Sequence, residues 1–126
     1  MSLRDPLKTV RGLGSAKEGV HHWWAQRVTA IALVPLTIWF VVSMIGVAGA
    51  GHDEVVAWIG HPLVAVLLIC LIVAVFHHAQ LGMQVIYEDY IHDGWLKMVA
   101  DLGTKFLAVL LGLSAAIAVL KIAIGA

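Results

Sequence analysis

The segment Pro62-Leu-Val-Ala-Val-Leu-Leu-Ile-Cys-Leu-Ile-Val-Ala-Val-Phe-His-His-Ala-Gln-Leu-Gly-Met-Gln-Val-Ile86 decides the fold. It holds no Asp, Glu, Lys or Arg, and only His77, His78, Gln80 and Gln84 interrupt its apolar character. A helix crosses the hydrocarbon of a bilayer in about 20 residues. Two further stretches meet that length. Val28 to Val47 carries only Thr29, Thr37 and Ser43 as polar interruptions, and Phe106 to Ile124 carries Lys121 near its end. In lipid the backbone must satisfy its own hydrogen bonds, so each stretch is predicted to be a helix. Pro35 lies inside the first and is expected to bend it.

Composition agrees. Of 126 residues, 61% are hydrophobic and 13% charged, whereas soluble domains are about half apolar and a quarter charged. A soluble domain of this length has too little interior for so much apolar surface. Eight basic and eight acidic residues cancel, so no general attraction to nucleic acid is implied. The one cysteine, Cys70, sits mid-span with no partner for an internal disulfide and no metal-type spacing. It reads as a small hydrophobe against lipid or a neighbouring helix.

Residues 1–24 are expected to form a cytoplasmic arm, and residues 25–126 one transmembrane domain with spans at about 27–48, 61–90 and 103–125. The arm holds Arg4, Lys8, Arg11 and Lys17, with Arg27 at its membrane boundary; the second connection, around Tyr90 to Lys105, holds Lys97 and Lys105. The first connection, Gly46 to His61, holds Asp53 and Glu54 but no Lys or Arg. Positive charge marks the cytoplasmic side, which gives an N-in, C-out topology. Ala48-Gly49-Ala50 has the small residues of a cleavage site, but the apolar run before it is too long for a signal peptide, and the segment is expected to stay as a helix. Trp58 and Trp95 fall at predicted boundaries, as interfacial anchors do.

Ionisable and polar residues within a span are costly and therefore informative. A neutral imidazole ligates haem iron well, and His77 and His78 lie well inside the second span. The competing reading is a histidine hydrogen-bonded to a neighbouring helix. Helical periodicity places His78, Gly82, Val85, Ile86 and Asp89 on one face and turns His77 about 100° away. Asp89 and Tyr90 fall about 16–18 Å beyond His78 toward the cytoplasm. They are either a polar pair at a site or a helix end meeting water. Gly19-Val-His-His-Trp-Trp-Ala-Gln-Arg27 precedes the first span on the same side. Its Arg27 is either a snorkelling anchor or a fixed guanidinium for a carboxylate or carbonyl. The third span, with Gly112, Ser114 and Ala116 suited to close packing, is expected to be scaffold.

The Gly-Val-His before Arg27, together with His78-Ala-Gln-Leu-Gly-Met-Gln-Val-Ile-Tyr-Glu-Asp89-Tyr90, resembles the hydrophobic membrane anchor of succinate dehydrogenase, the D-type subunit of respiratory complex II. The resemblance runs from about His21 to the C-terminus. It implies an all-α anchor packing with a C-type cytochrome b anchor subunit, beneath iron–sulfur and flavoprotein subunits that carry the succinate chemistry. It implies His78 as an axial ligand of haem b shared with the partner anchor, and Asp89 and Tyr90 at a ubiquinone site. Arg27 and His21 would lie near the haem propionates and the quinone. The expected setting is a bacterial inner membrane, in the citric acid cycle and aerobic electron transport. The anchor of a fumarate reductase and a non-redox membrane scaffold are the alternatives.

Overall fold

The computed structural model describes residues 17–125; Arg4, Lys8 and Arg11 of the arm lie outside them. Among the described residues four helices follow one another: α1 (Lys17–Val47), α2 (His52–Gly60), α3 (Pro62–Tyr90) and α4 (Gly94–Ala123). Three are long and apolar enough to cross a membrane, over Gly19–Val47, Pro62–Tyr90 and Gly94–Ala123. The three-span, all-helical expectation therefore holds among the described residues.

α3 is the central helix. It packs against α1 on one side and α4 on the other. Among the described residues the buried ones all belong to it: Ala65, Leu68, Leu71 and Ala74 recur at three-residue spacing, followed by Gln80 and Leu81. The outer faces of α1 and α4 remain apolar and exposed, as at Ile31, Ile38, Ile45, Phe106 and Leu110. Lipid or another apolar subunit covers such faces at no cost in a bilayer. Gly112 on α4 faces Phe76 on α3, whose ring lies 3.5 Å from where a Cβ would stand. The small residue expected at a close contact is thus at one. Ser114 is not: it is exposed, and its hydroxyl donates back to the Leu110 carbonyl at 2.7 Å. Cys70 and Lys121 are exposed.

Three boundaries differ from the sequence expectation. The described part of the arm is helical: α1 begins at Lys17, ahead of the span expected from about residue 27, and runs without a break through Pro35. The first connection contains a helix, α2, whose Trp58 stacks on Trp39 of α1 with ring centres 6.0 Å apart. The second connection shrinks from Tyr90–Lys105 to the extended residues Ile91–Asp93. There the Asp93 carboxylate accepts from the backbone N–H groups of Trp95 and Leu96 at 2.9 and 3.4 Å and opens α4. Hydropathy marks where a helix enters hydrocarbon, not where it starts. Lys97, Asp101 and Lys105 lowered the local hydropathy without ending the helix, and Asp101 and Lys105 are paired along it at 2.8 Å. α3 opens in a similar way, with the His61 ring accepting from the Leu63 N–H at 3.2 Å and Pro62 in the first turn.

Candidate functional site

Antiparallel packing fixes which residues share a level in the bundle. Thr29 of α1 touches His78 of α3, with Oγ1 and Nδ1 3.0 Å apart. One turn away, Gln26 of α1 faces Gly82 of α3, its amide nitrogen 3.9 Å from where a Cβ would stand. Between α3 and α4, Tyr87 and Thr104 hydroxyls meet at 2.6 Å. The start of α1, the end of α3 and the start of α4 therefore gather at one end of the bundle. That end carries Arg27, Lys97 and Lys105 together with Glu88, Asp89, Asp93 and Asp101; the far end carries Asp53, Glu54 and Lys121.

His78 is half-buried in the α1–α3 contact, with its hydrogen bond through Nδ1. His77 faces the other way, as the 100° rotation predicts. It lines a groove of about 320 Å³ between α3 and α4, together with Phe76, Gln80, Lys105 and Gly112. The two neighbouring histidines thus serve opposite sides of the central helix. Gly82 opens space toward the Gln26 side chain.

His22, Gln26 and Thr29 recur at i, i+4 and i+7, one stripe of α1. Two buried polar atoms of that stripe, His22 Nε2 and Gln26 Oε1, have no hydrogen-bond partner among the described residues. Buried polar atoms are seldom left unpaired, so each such atom calls for an explanation. This stripe was missing from the sequence expectation, which took Thr29 as a mere interruption and passed over His22 and Gln26. The helical spacing of three polar residues at the mouth of an apolar span was the available signal.

The other expected site residues are not brought together within this chain. Arg27 and His21 lie on either side of the stripe, about 100° or more from it around α1, and both are exposed. The Arg27 guanidinium sits over the Trp23 ring at 5.4 Å and pairs with no acid among the described residues. Asp89 is exposed, and Tyr90, at 78% exposure, stands at the last turn of α3. Projected through the Thr29–His78 and Gln26–Gly82 levels, His21 lies near Ile86 and Arg27 near Gln80 or Leu81. Arg27 is therefore within about 5 Å of the His78 level along the bundle axis, while Asp89 is about 16 Å from that level. His21 is the arm residue nearer to the Asp89–Tyr90 end.

A second polar line runs down α3 on the α4 side. Gln80 reaches Gln84 at 3.5 Å, and Gln84 donates to Glu88 at 3.1 Å. It ends in a smaller groove, about 200 Å³, lined by Gln84, Tyr87, Glu88, Lys97, Met98 and Asp101. Asp101 keeps one carboxylate oxygen buried and unpartnered there while the other takes Lys105. No cluster of three or more His, Cys, Asp or Glu side chains able to hold a metal ion occurs among the described residues.

The architecture is that of a multi-pass membrane protein with polar side chains concentrated along its central helix and toward one end. Its sequence matches the succinate dehydrogenase/fumarate reductase transmembrane subunits over residues 1–120, and the chain belongs to that family. The succinate dehydrogenase hydrophobic membrane anchor subunit of Rickettsia bellii is 31% identical over 107 residues, covering 85% of this chain and 86% of its own. That of Paracoccus denitrificans is 33% identical over 92 residues, covering 73% and 71%. The succinate dehydrogenase membrane anchor subunit of Reclinomonas americana is 27% identical over 96 residues, covering 74% and 80%. No solved structure gives a significant match.

Proposed function

We propose that this chain is the membrane anchor subunit of a succinate dehydrogenase, that it shares a haem b with a C-type partner anchor through His78, and that it lends Asp89 and Tyr90 to a ubiquinone site. The observation that carries the reading is the placement of His78. A packing histidine would be expected to bond to a neighbouring helix, and His78 does so. It bonds through Nδ1, however, which leaves Nε2 available to a metal. The unpartnered His22 Nε2 and Gln26 Oε1 lie on the helix face that meets His78 and Gly82. Arg27 is close to the same level. An uncommitted imidazole nitrogen faced by an imidazole and an amide on α1 is a donor set that fits an iron porphyrin, and Arg27, turned away from that face around α1 but near the same level, could pair with a carboxylate side chain of the group. Haem b, when bound, supplies a one-electron centre in the membrane.

At the end of the bundle that carries Arg27, Lys97 and Lys105, which the positive-inside rule puts on the inner side, Tyr90 is exposed at the last turn of α3. Quinone reduction takes two electrons, delivered from an iron–sulfur partner subunit, and two protons. The Tyr90 hydroxyl donates a hydrogen bond to a quinone carbonyl oxygen. Asp89 beside it orients that hydroxyl or holds a proton for the reduced oxygen. The exposure of both side chains fits a pocket completed by the partner subunits, and the flavoprotein subunit holds the succinate chemistry. The names of the Rickettsia and Paracoccus relatives favour succinate dehydrogenase over the fumarate reductase anchor. They also fit a bacterial inner membrane and a role in the citric acid cycle. A Tyr90→Phe variant, in the assembled complex, should retain haem absorbance and lose most succinate–quinone reductase activity. Wild-type turnover would remove Tyr90 from the site.

A further inference from the structure

Thr29 belongs to the first span, and its hydroxyl touches three groups. It lies 2.7 Å from the Ala25 carbonyl oxygen, 3.1 Å from the Gln26 carbonyl oxygen and 3.0 Å from His78 Nδ1. Hydroxyls within helices commonly bond back to the preceding turn, as Ser114 does. Thr29 makes that bond and one more, and the proton count then decides the chemistry of the histidine.

A threonine hydroxyl has one hydrogen and two lone pairs. Two oxygens 2.7 Å apart are at the usual O–H···O separation, and without a proton between them their lone pairs would repel. The hydrogen therefore lies toward the Ala25 carbonyl, with the Gln26 carbonyl as a longer second acceptor. What Oγ1 has left for His78 is a lone pair. At 3.0 Å the Nδ1 atom must then supply the hydrogen, so Nδ1 is the protonated nitrogen. A neutral imidazole carries one N–H, which leaves Nε2 with its lone pair free on the opposite edge of the ring. The back-bond to Ala25 also holds the Thr29 side chain in one rotamer, so the acceptor is in place before any ligand arrives.

We infer that Thr29 is the positioning residue for His78: by accepting the Nδ1–H bond it fixes the tautomer and ring orientation in which Nε2 is the metal-binding atom. This rests on the haem reading of His78 given above. Ligating histidines generally donate their second N–H to an acceptor, which orients the ring and makes it a stronger electron donor. Here that acceptor comes from this chain's first helix, so the packing of α1 on α3 sets the ligand's geometry and basicity.

The test uses the complete complex in membranes, with Thr29→Val and Thr29→Ser variants. The readouts are the haem midpoint potential and the g values of its ferric electron paramagnetic resonance signal. Valine keeps the shape and removes the acceptor. A less basic imidazole stabilises ferric iron less, so the ferric–ferrous equilibrium should move toward ferrous by about threefold to tenfold; tenfold is about 59 mV upward for a one-electron couple. Thr29→Ser keeps the hydroxyl and should keep the wild-type potential and g values. Loss of haem from Thr29→Val but not from Thr29→Ser would support the same role. No shift in Thr29→Val, an equal shift in both variants, or haem loss from both would overturn it. A His78→Ala complex separates this from the underlying reading: an unaltered haem signal there would reject His78 as ligand, whatever Thr29 does.

Discussion

Two tyrosines three residues apart on α3 should respond to the same substitution in opposite ways. Tyr87 is half-buried and its hydroxyl meets Thr104 of α4 at 2.6 Å; Tyr90 is exposed and has no such partner within the described chain. Removing the Tyr87 hydroxyl breaks an interhelical hydrogen bond and leaves the Thr104 hydroxyl without this partner. Such bonds between membrane helices average about 0.6 kcal/mol and reach about 1.7. The short distance and partial burial place this one near the middle, about 1 kcal/mol, roughly a fivefold change in the folded-to-unfolded ratio. Tyr87→Phe and Thr104→Val should each cost about that much, and the double variant should cost little more than either alone, giving a coupling energy of about 1 kcal/mol. The assay is equilibrium unfolding of the purified chain in detergent micelles for the four species of the cycle. Tyr87→Phe should leave quinone reductase activity intact, whereas Tyr90→Phe should leave stability intact and remove activity. Strictly additive costs for Tyr87 and Thr104 would show that their hydroxyls do not bond, and the register assigned to α3 and α4 would be wrong.

Other outcomes follow from single contacts. Gly112→Ala should be tolerated, because the added Cβ would stand at ordinary contact distance, 3.5 Å, from Phe76. Gly112→Leu should overpack the same contact and cost about 1–3 kcal/mol by the same unfolding measurement. Asp93→Ala should lose the cap that opens α4, costing about 1 kcal/mol and showing as faster amide hydrogen exchange at Trp95 and Leu96.

The three spans were legible because hydrocarbon length and backbone satisfaction leave few solutions for runs so apolar. The faces of His77 and His78 were legible too, since helical rotation alone separates neighbouring residues. Boundaries outside the hydrocarbon were not. Lys97 and Lys105 look like connection residues when hydropathy is the guide, yet Asp93 caps a helix that continues through both. The partner of His78 was also hidden. Periodicity says which residues share a face of one helix; it does not say which face of α1 meets α3, so Thr29 had no claim over Thr37 or Ser43. The polar stripe His22, Gln26 and Thr29 would have singled it out. His21, Arg27, Asp89 and Tyr90 illustrate a different limit. They reach outward from this chain, so the resemblance groups them into a site that the chain alone does not assemble.

The central claim is that α3 presents His78, and not its neighbour His77, to a haem. The most direct measurement is the reduced-minus-oxidised optical spectrum and ferric resonance signal of the complex carrying His78→Ala, beside the complex carrying His77→Ala. The account predicts that His78→Ala loses or markedly alters the low-spin b-type signal, while His77→Ala, whose ring lines the α3–α4 groove, leaves it unchanged. The reverse pattern, or an intact signal in both, would contradict it.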